Sequence, residues 1–144
     1  MPFQVALSHT ALRLSLSGHI SRQELHALLT AMETIELESN PVPDRITDLS
    51  GISDAEITMD DMRQVVSRRL AAHFPNSFRS AIVAAEEFQL GYARMFQILN
   101  DHPSIAIRIF RSLPEAELWL VQERSTGSRA HNRDPLDTSG HQGP

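Results

Sequence analysis

The segment Phe78-Arg79-Ser80-Ala81-Ile82-Val83-Ala84-Ala85 decides the fold. After Ser80 it is continuously apolar, whereas a strand with one face in water alternates between polar and apolar residues. A short apolar run without alternation is typical of a strand buried on both faces, as in a parallel sheet covered by helices. We therefore expect residues 78–85 to form a central strand of an α/β domain.

The sequence that follows this strand predicts a helix, a strand and a second helix. The first helix is expected from about Phe88 to Asp101, and His102-Pro103 ends it because proline cannot continue a helix. Isoleucines then alternate over residues 105–109, as in a strand. The segment Ser112-Leu113-Pro114-Glu115 has the pattern of a capping box and predicts the start of the last helix.

The chain before residue 78 begins with two segments of alternating apolar residues. Residues 3–8 and 12–16 alternate with a period of two, and the second run ends at Gly18, which predicts a hairpin of two strands. Ser21-Arg22-Gln23-Glu24 is a capping box that opens a helix with one apolar face. The prolines at 41 and 43 end this helix.

Another strand and another helix are predicted between residues 44 and 73. Asp44 to Ser50 suggests a short strand, and Ser50-Gly51 is expected to turn the chain out of it. Thr58 then has the features of a helix N-cap, because two acids follow in the first turn, where the helix dipole favours negative charge. We expect this helix to end near His73.

The predicted order of elements is β-β-α-β-α-β-α-β-α, which indicates an α/β fold. Alternating strands and helices imply right-handed crossovers, hence a mixed, mainly parallel five-stranded sheet with an antiparallel edge. Residues 1–123 are interpreted as one domain. Residues 124–144 are rich in Ser, Gly, Arg, Asn, Asp and His, and they are expected to be a disordered tail.

The composition excludes several kinds of chemistry. The chain has 144 residues and no cysteine, so it forms no disulfide and has no thiolate nucleophile or thiolate metal site. All 13 basic residues are arginine, which excludes a Schiff-base lysine and a P-loop lysine. No glycine-rich nucleotide motif occurs, and we expect no cofactor.

Charge and hydropathy point to a cytoplasmic protein that does not bind nucleic acid. The net charge is −5, and the Arg68-Arg69 pair is expected to lie on a solvated helix face and not in a basic stripe. No apolar run approaches the roughly 20 residues of a membrane span. The N-terminus lacks the pattern of a signal peptide.

Candidate catalytic and metal-binding residues are few. No pair among the seven histidines has the spacing of helical metal ligands, and His102 is interpreted as a helix cap. No GxSxG motif is present, so no nucleophile is expected. Acids near the ends of predicted strands leave one catalytic hypothesis, which we rank below a solvent-facing role. They are Asp48, Asp54, Glu56 and Glu86.

Two segments resemble the STAS superfamily, the SpoIIAA-like anti-sigma-factor antagonists of bacteria. Arg45 to Ile52, RITDLSGI, resembles the third strand of that family, which ends in D-L-S-x-V. Residues 105–120, IAIRIFRSLPEAELWL, resemble its closing strand and helix, and residues 91–101 are similar to uncharacterised bacterial members. The resemblance covers most of residues 1–123 and implies a protein-interaction function without catalysis.

The same resemblance bears on regulation. Active antagonists carry D-S-S-G at the start of the helix after the third strand, and the second Ser is phosphorylated by a partner kinase. Aligning residues 48–50 with D-L-S brings Glu56-Ile57-Thr58 opposite D-S-S, so Thr58 would be the acceptor and Met59 replaces the Gly. Most of the motif is missing, and a plain N-cap is the preferred role of Thr58. The predicted acceptor or partner-contact residues are Thr58, Glu56, Met59 and Asp54.

Two functional hypotheses therefore remain in front. The first is a regulatory domain that binds a protein partner or a second copy of itself, and an exposed apolar patch would favour it. The second is a carrier of a small apolar ligand or lipid, of the related SEC14-like (CRAL-TRIO) type. An apolar cavity above about 300 Å³ would favour the carrier. Its predicted lining includes Met32, Met62, Met95 and Phe96.

Overall fold

The computed structural model describes residues 3–7 and 11–122. The strands are β1 (Phe3–Leu7), β2 (Ala11–Ile20), β3 (Asp44–Ala55), β4 (Phe78–Val83) and β5 (Ile105–Phe110). The helices are α1 (Arg22–Leu37), α2 (Met59–Ala71), α3 (Glu87–Leu99) and α4 (Leu113–Val121). This order confirms the predicted one. The β1–β2 connection and the predicted tail, 124–144, lie outside the described residues.

The five strands form one mixed sheet in the order β1-β2-β3-β4-β5. β1 pairs antiparallel with β2, and the other neighbours are parallel. Each crossover moves one strand in the same direction, so right-handed connections place α1, α2 and α3 on one face. α4 follows the last strand and packs on the opposite face. Within the described ranges no helix has the length and apolar character needed to cross a membrane.

β4 is buried on both faces, as its apolar sequence predicts. Phe78 and Ile82 pack in the core beneath α3, whereas Ala81 and Val83 face Trp119 of α4. The alternation of side chains along one strand therefore supplies both cores.

α4 is fixed by aromatic and cationic contacts around Trp119. The ring lies 5.7 Å from the Phe110 ring, and the guanidinium carbons of Arg79 and Arg108 stand 5.1 and 5.5 Å from its centre. The capping box predicted at its start does not form. Ser112 donates its hydroxyl to the Glu115 carboxylate at 3.2 Å and makes no side-chain bond to the backbone of the first turn.

The expected turn at Ser50-Gly51 is wrong, because β3 continues to Ala55 beside β2. Gly51 serves a close approach of the two strands instead. A Cβ at this position would lie 2.7 Å from the Leu16 carbonyl oxygen, so only glycine fits without a shift of the backbone. β2 likewise passes through Gly18, whose φ of +73° accompanies an irregularity in the pairing.

A buried ion cluster joins α1, α2 and β3. Glu36 accepts two hydrogen bonds of 2.7 Å from Arg69 and another from Arg45, and all three residues are at most 7% exposed. The expectation that Arg69 lies on a solvated helix face is therefore wrong. The guanidinium groups also stack on aromatic rings, Arg45 at 4.6 Å from the centre of Phe78 and Arg69 at 5.4 Å from that of Phe74.

The ion cluster shifts the ionisation of its members. Burial opposes ionisation of Glu36, but its hydrogen bond with Arg69 and the charges of both arginines outweigh that effect, so the pKa of Glu36 is lowered. Burial and the charge of Arg69 lower the pKa of Arg45 to about 10. At neutral pH Glu36 and Arg45 are therefore both charged.

We expect Glu36→Gln to destabilise the fold by about 3 to 5 kcal/mol, because it leaves two buried guanidinium groups without a counter-charge. Glu33→Gln is the matched control. Glu33 also lies on α1 and pairs with an arginine of α2, Arg68, but this pair is partly exposed, so the loss should be at most about 1 kcal/mol. Urea unfolding measures both, and equal losses would contradict a special role for the buried cluster.

Candidate functional site

The four predicted contact residues lie together at the carboxyl edge of the sheet. Asp54 is the second-last residue of β3, Glu56 follows that strand, Thr58 is the N-cap of α2, and Met59 is its first residue. All four are exposed, Met59 by 45%. Two of them, Glu56 and Thr58, line an open depression between the starts of α1 and α2, together with Ser21, Arg22 and Gln23.

Thr58 closes a reciprocal capping box. Its hydroxyl accepts a hydrogen bond of 3.1 Å from the Asp61 amide, and the Asp61 carboxylate accepts one of 2.9 Å from the Thr58 amide. The same carboxylate pairs with Arg22 of α1 at 2.8 Å. Hydrogen bonding by the Thr58 amide is the main cause that lowers the pKa of Asp61, and Arg22 adds to it. The N-terminus of α2 is thus tied to that of α1.

His19 of β2 joins two of the four candidate residues. Its Nδ1 lies 2.9 Å from the Asp54 carboxylate and its Nε2 lies 2.9 Å from the Glu56 carboxylate. Both ring nitrogens donate only in the charged imidazolium form. The hydrogen bond to Asp54 is the chief cause that raises the pKa of His19 above 6.5, with further contributions from both acids. We call His19, Asp54 and Glu56 the histidine clasp.

A buried glutamine holds this edge to α3. The Gln89 amide oxygen accepts from the amides of Ala85 and Glu86 at 3.0 and 2.9 Å, and its nitrogen donates to the Ile52 carbonyl at 2.9 Å. Gln89 is 1% exposed, although nothing in its polar character indicates burial. Its position three residues after Glu86, in the first turn of a helix, is the signal that sequence reasoning could have used.

The four acids of the catalytic hypothesis do not form one cluster, although Asp54 and Glu56 both contact His19. Asp48 lies inside β3 and not beside a loop. Its carboxylate accepts two hydrogen bonds from Ser50. Glu86 is exposed at the start of α3, on another element from Asp54 and Glu56. Among the residues that the structure describes, no group of three histidines and acids is arranged to hold a metal ion.

His102 acts as a cap, but on a different helix from the one it follows. Its Nδ1 accepts from the Ser104 amide at 3.0 Å, which leaves Nε2 to donate to the Ala72 carbonyl at 2.8 Å. Ala72 is the C-cap residue of α2. The expected cap on the helix that His102 follows is therefore wrong, because His102 bonds the end of α2 instead.

A largely apolar cavity of about 130 Å³ lies between the sheet and helices α1, α2 and α3. Met32, Met62 and Phe96 line it as predicted, and Met95 is not among its lining residues. Six polar residues also border it, namely Arg45, Thr47, Arg69, Ser80, Tyr92 and Asn100. The volume is below the roughly 300 Å³ typical of a pocket for a drug-sized ligand.

Several solved structures share this architecture, including the following three. A DUF3478-family protein with a SpoIIAA-like fold from Shewanella loihica PV-4 is 18% identical with a TM-score of 0.51, over 82% of this chain and 91% of that one. An anti-sigma factor antagonist from Mycobacterium paratuberculosis is 13% identical with a TM-score of 0.54, over 83% and 93%. Unphosphorylated SpoIIAA is 13% identical with a TM-score of 0.51, over 81% and 94%.

The structural similarity establishes a SpoIIAA-like fold, as the resemblance in sequence predicts, and at these low identities it establishes the fold alone. No protein-family model matches the sequence, and no curated protein matches it.

We expect the pKa of His19, measured by NMR titration, to lie above 6.5 and to fall in Asp54→Asn, which removes its strongest partner. Because the pKa of His19 is raised in the folded chain, the stability that the clasp contributes is fully present below the pKa of His19 in the unfolded chain. It is lost as the pH rises through the pKa of His19 in the folded chain. Asp60→Asn is the control, since Asp60 is an acid of the same edge whose carboxylate bonds Gln64 instead. An equal fall in both variants would contradict the clasp.

Thr58→Ala should lower the free energy of unfolding by about 1 kcal/mol, because it leaves the Asp61 amide without its cap. Thr58→Ser keeps the hydroxyl and should remain close to wild type. Thermal and urea unfolding measure the difference. If the alanine and serine variants were equally stable, the hydroxyl would not act as a cap.

Proposed function

We propose that this chain is a cytoplasmic, non-enzymatic regulatory domain that binds a protein partner through its carboxyl edge. The observation that carries the proposal is the position of Met59. This exposed apolar side chain stands at the start of α2 between exposed acids, in a fold shared with an anti-sigma factor antagonist. Contact is made by Asp54, Glu56, Thr58 and Met59.

The chemistry of this edge defines the partner surface that would fit it. Phe88, the second residue of α3, is 41% exposed and adds a second apolar group on the neighbouring helix start. Asp54, Glu56 and Asp60 surround Met59 with negative charge that solvent reaches. A partner with an apolar centre and a basic rim complements this pattern, and such charges act mainly on orientation and association rate.

We further propose that binding is not switched by phosphorylation of Thr58. Its hydroxyl already accepts the Asp61 amide. A phosphate there would stand beside the carboxylates of Asp60 and Asp61 in the same helical turn, and like charges repel it. The favourable field of a helix N-terminus is thus offset by the side chains next to it.

The other functions receive less support. A general acid needs a raised pKa, whereas the two carboxylates that are buried in the described part of the chain, Glu36 and Asp61, have lowered ones. A lipid carrier needs a larger cavity than about 130 Å³. A second copy of the chain is the other candidate partner for this edge. The oligomeric state of the isolated chain distinguishes it from a different protein.

The test is capture of partners from an extract of the native host on immobilised chain, followed by mass spectrometry. A partner retained by wild type should be lost with Met59→Asp, which adds a charge to the apolar centre but suits the first turn of a helix. The matched control is Leu118→Asp on α4, an exposed leucine on the opposite face. Raised salt should weaken capture, because the charges are exposed.

Two results would overturn the proposal. One is that Met59→Asp and Leu118→Asp reduce capture equally, or that the wild-type chain captures no protein. The other concerns the switch alone, and it is recovery of Thr58 in phosphorylated form from the host. A dimer of the isolated chain that Met59→Asp dissociates would replace the protein partner by a second copy.

A further inference from the structure

β1 is the outermost strand on one side of the sheet. It pairs antiparallel with β2, and no other strand in the described part of the chain pairs with it. In an antiparallel strand every second residue directs its backbone N–H and C=O away from the neighbouring strand. Within the described ranges, the outer side of β1 therefore has backbone groups that a further strand can pair with.

β1 also has apolar side chains that the domain covers incompletely. Phe3, Val5 and Leu7 share one face of the sheet, because side chains alternate along a strand. Phe3 and Val5 pack against the core cluster around Leu14 but remain half-buried, and Leu7 is 59% exposed. α1 connects β2 to β3, so it lies over those strands and leaves β1 partly uncovered.

The opposite side of the sheet ends in a strand that is protected. Five of the six residues of β5 are buried, and the sixth, Arg108, carries a charge. α3 packs on one face of this strand and α4 on the other. Charges, prolines and covering helices are the usual means by which proteins keep an outer strand from pairing with another chain. β1 reads Phe-Gln-Val-Ala-Leu, with neither a charge nor a proline.

The sequence of β1 is suited to pairing with a second copy of itself. When two such strands pair antiparallel about an axis through Val5, this valine faces its counterpart. Phe3 then faces Leu7 of the other copy, and on the reverse face Gln4 meets Ala6. Each apolar residue of the helix face thus meets another apolar residue, which stabilises a cross-strand pair. The net charge of −5 opposes self-association in general, whereas β1 brings no like charges into contact.

We propose that two copies of this chain associate through β1, in antiparallel pairing centred on Val5, to form one continuous sheet. The two-fold axis is perpendicular to the sheet, so helices α1 to α3 of both copies stay on the same face. Leu7 is covered by Phe3 of the second copy, and symmetry repeats this pair within the interface. The contact is self-complementary, as a closed dimer requires. Met59 begins α2, which follows β3, and it remains accessible.

The first experiment measures the mass of the chain by sedimentation equilibrium over a range of concentrations. Because a contact of one short strand is small, we expect a reversible dimer with a dissociation constant on the order of 100 µM. Leu7→Asp should raise this constant about tenfold or more, because each interface then buries two charges opposite Phe3. Leu118→Asp is the matched control, since this leucine of α4 is exposed to a similar extent, 61%. It should leave the constant unchanged.

The second experiment tests the register of the two strands by cross-linking. The chain has no cysteine, so one introduced cysteine reports on one position. Val5→Cys places a thiol beside its counterpart at the axis, where Cβ atoms of opposite residues are about 5 Å apart, and mild oxidation should join the two copies. Ala6→Cys is the control on the same strand. Its counterpart is a diagonal neighbour at about 7 Å or more, and it should be joined much more slowly.

Four outcomes would overturn the proposal. One is a chain that stays monomeric up to about 1 mM, tenfold above the expected constant. Another is an equal effect of Leu7→Asp and Leu118→Asp in variants whose NMR spectra show a native fold. Faster cross-linking of Ala6→Cys than of Val5→Cys would exclude pairing centred on Val5. Dissociation of the dimer by Met59→Asp would place the contact at the carboxyl edge.

The dimer and the proposed binding of a protein partner are tested separately. A dimer through β1 is not dissociated by Met59→Asp, because Met59 lies outside its interface. Conversely, Leu7→Asp should leave capture of a partner through the carboxyl edge unchanged. Failure of either proposal is therefore distinguished from failure of the other.

Discussion

The carboxylate of Glu36, held between two buried arginines, is the interaction on which the arrangement of this fold most depends. It joins the last turn of α1 to the start of β3 and to the last turn of α2. Ion clusters taken out of water are not automatically stabilising, but they tolerate few alternative geometries, because each charge needs its partner. α1 and α2 are therefore fixed relative to each other at the amino edge. The cavity between these helices and the sheet exists in this frame, and Arg45 contributes to both.

The two edges of the sheet differ in how far their polar groups are exposed to solvent. At the amino edge, charged and polar groups are buried and mostly satisfied from within, as in the contacts of Glu36 with its arginines and of His102 with the end of α2. At the carboxyl edge the histidine clasp and Thr58 are exposed, whereas Gln89 and Asp61, the partner of Thr58 in its capping box, are buried. Open α/β sheets characteristically place binding at the carboxyl edge. The buried ion cluster thus lies at one edge of the sheet, and the proposed contact surface lies at the other.

Much of the fold could be predicted because its signals are local. The apolar run of residues 78–85 fixed a doubly buried strand, and the acids after Thr58 fixed a helix start that the structure reproduces. Two local patterns misled. Ser50-Gly51 suggests a turn, but pairing with β2 carries the strand onward, because glycine permits the close approach. The motif at Ser112 suggests a capping box, but its hydroxyl bonds the Glu115 side chain.

The candidate site was predictable only in part. Residues 54–59 could be placed at a strand end and a helix start, which suffices to propose a contact surface. The partner of Asp54 and Glu56 was not foreseeable, because His19 is 35 or more positions away in the chain and meets them only through strand register. Asn100 and Arg45 are likewise brought to one cavity by the packing of α3 on the sheet.

By itself the sequence determined the order of the elements, the mixed sheet and the exclusion of thiol and lysine chemistry, since these follow from periodicity, breakers and composition. Only the tertiary structure decided which charges are buried. Periodicity places Glu36 four residues after Met32 and Arg69 four after Val65, on faces that turn inward. Whether a charge on such a face is buried depends on a counter-charge brought from another element. That pairing joins residues 33 positions apart, and no local pattern encodes it.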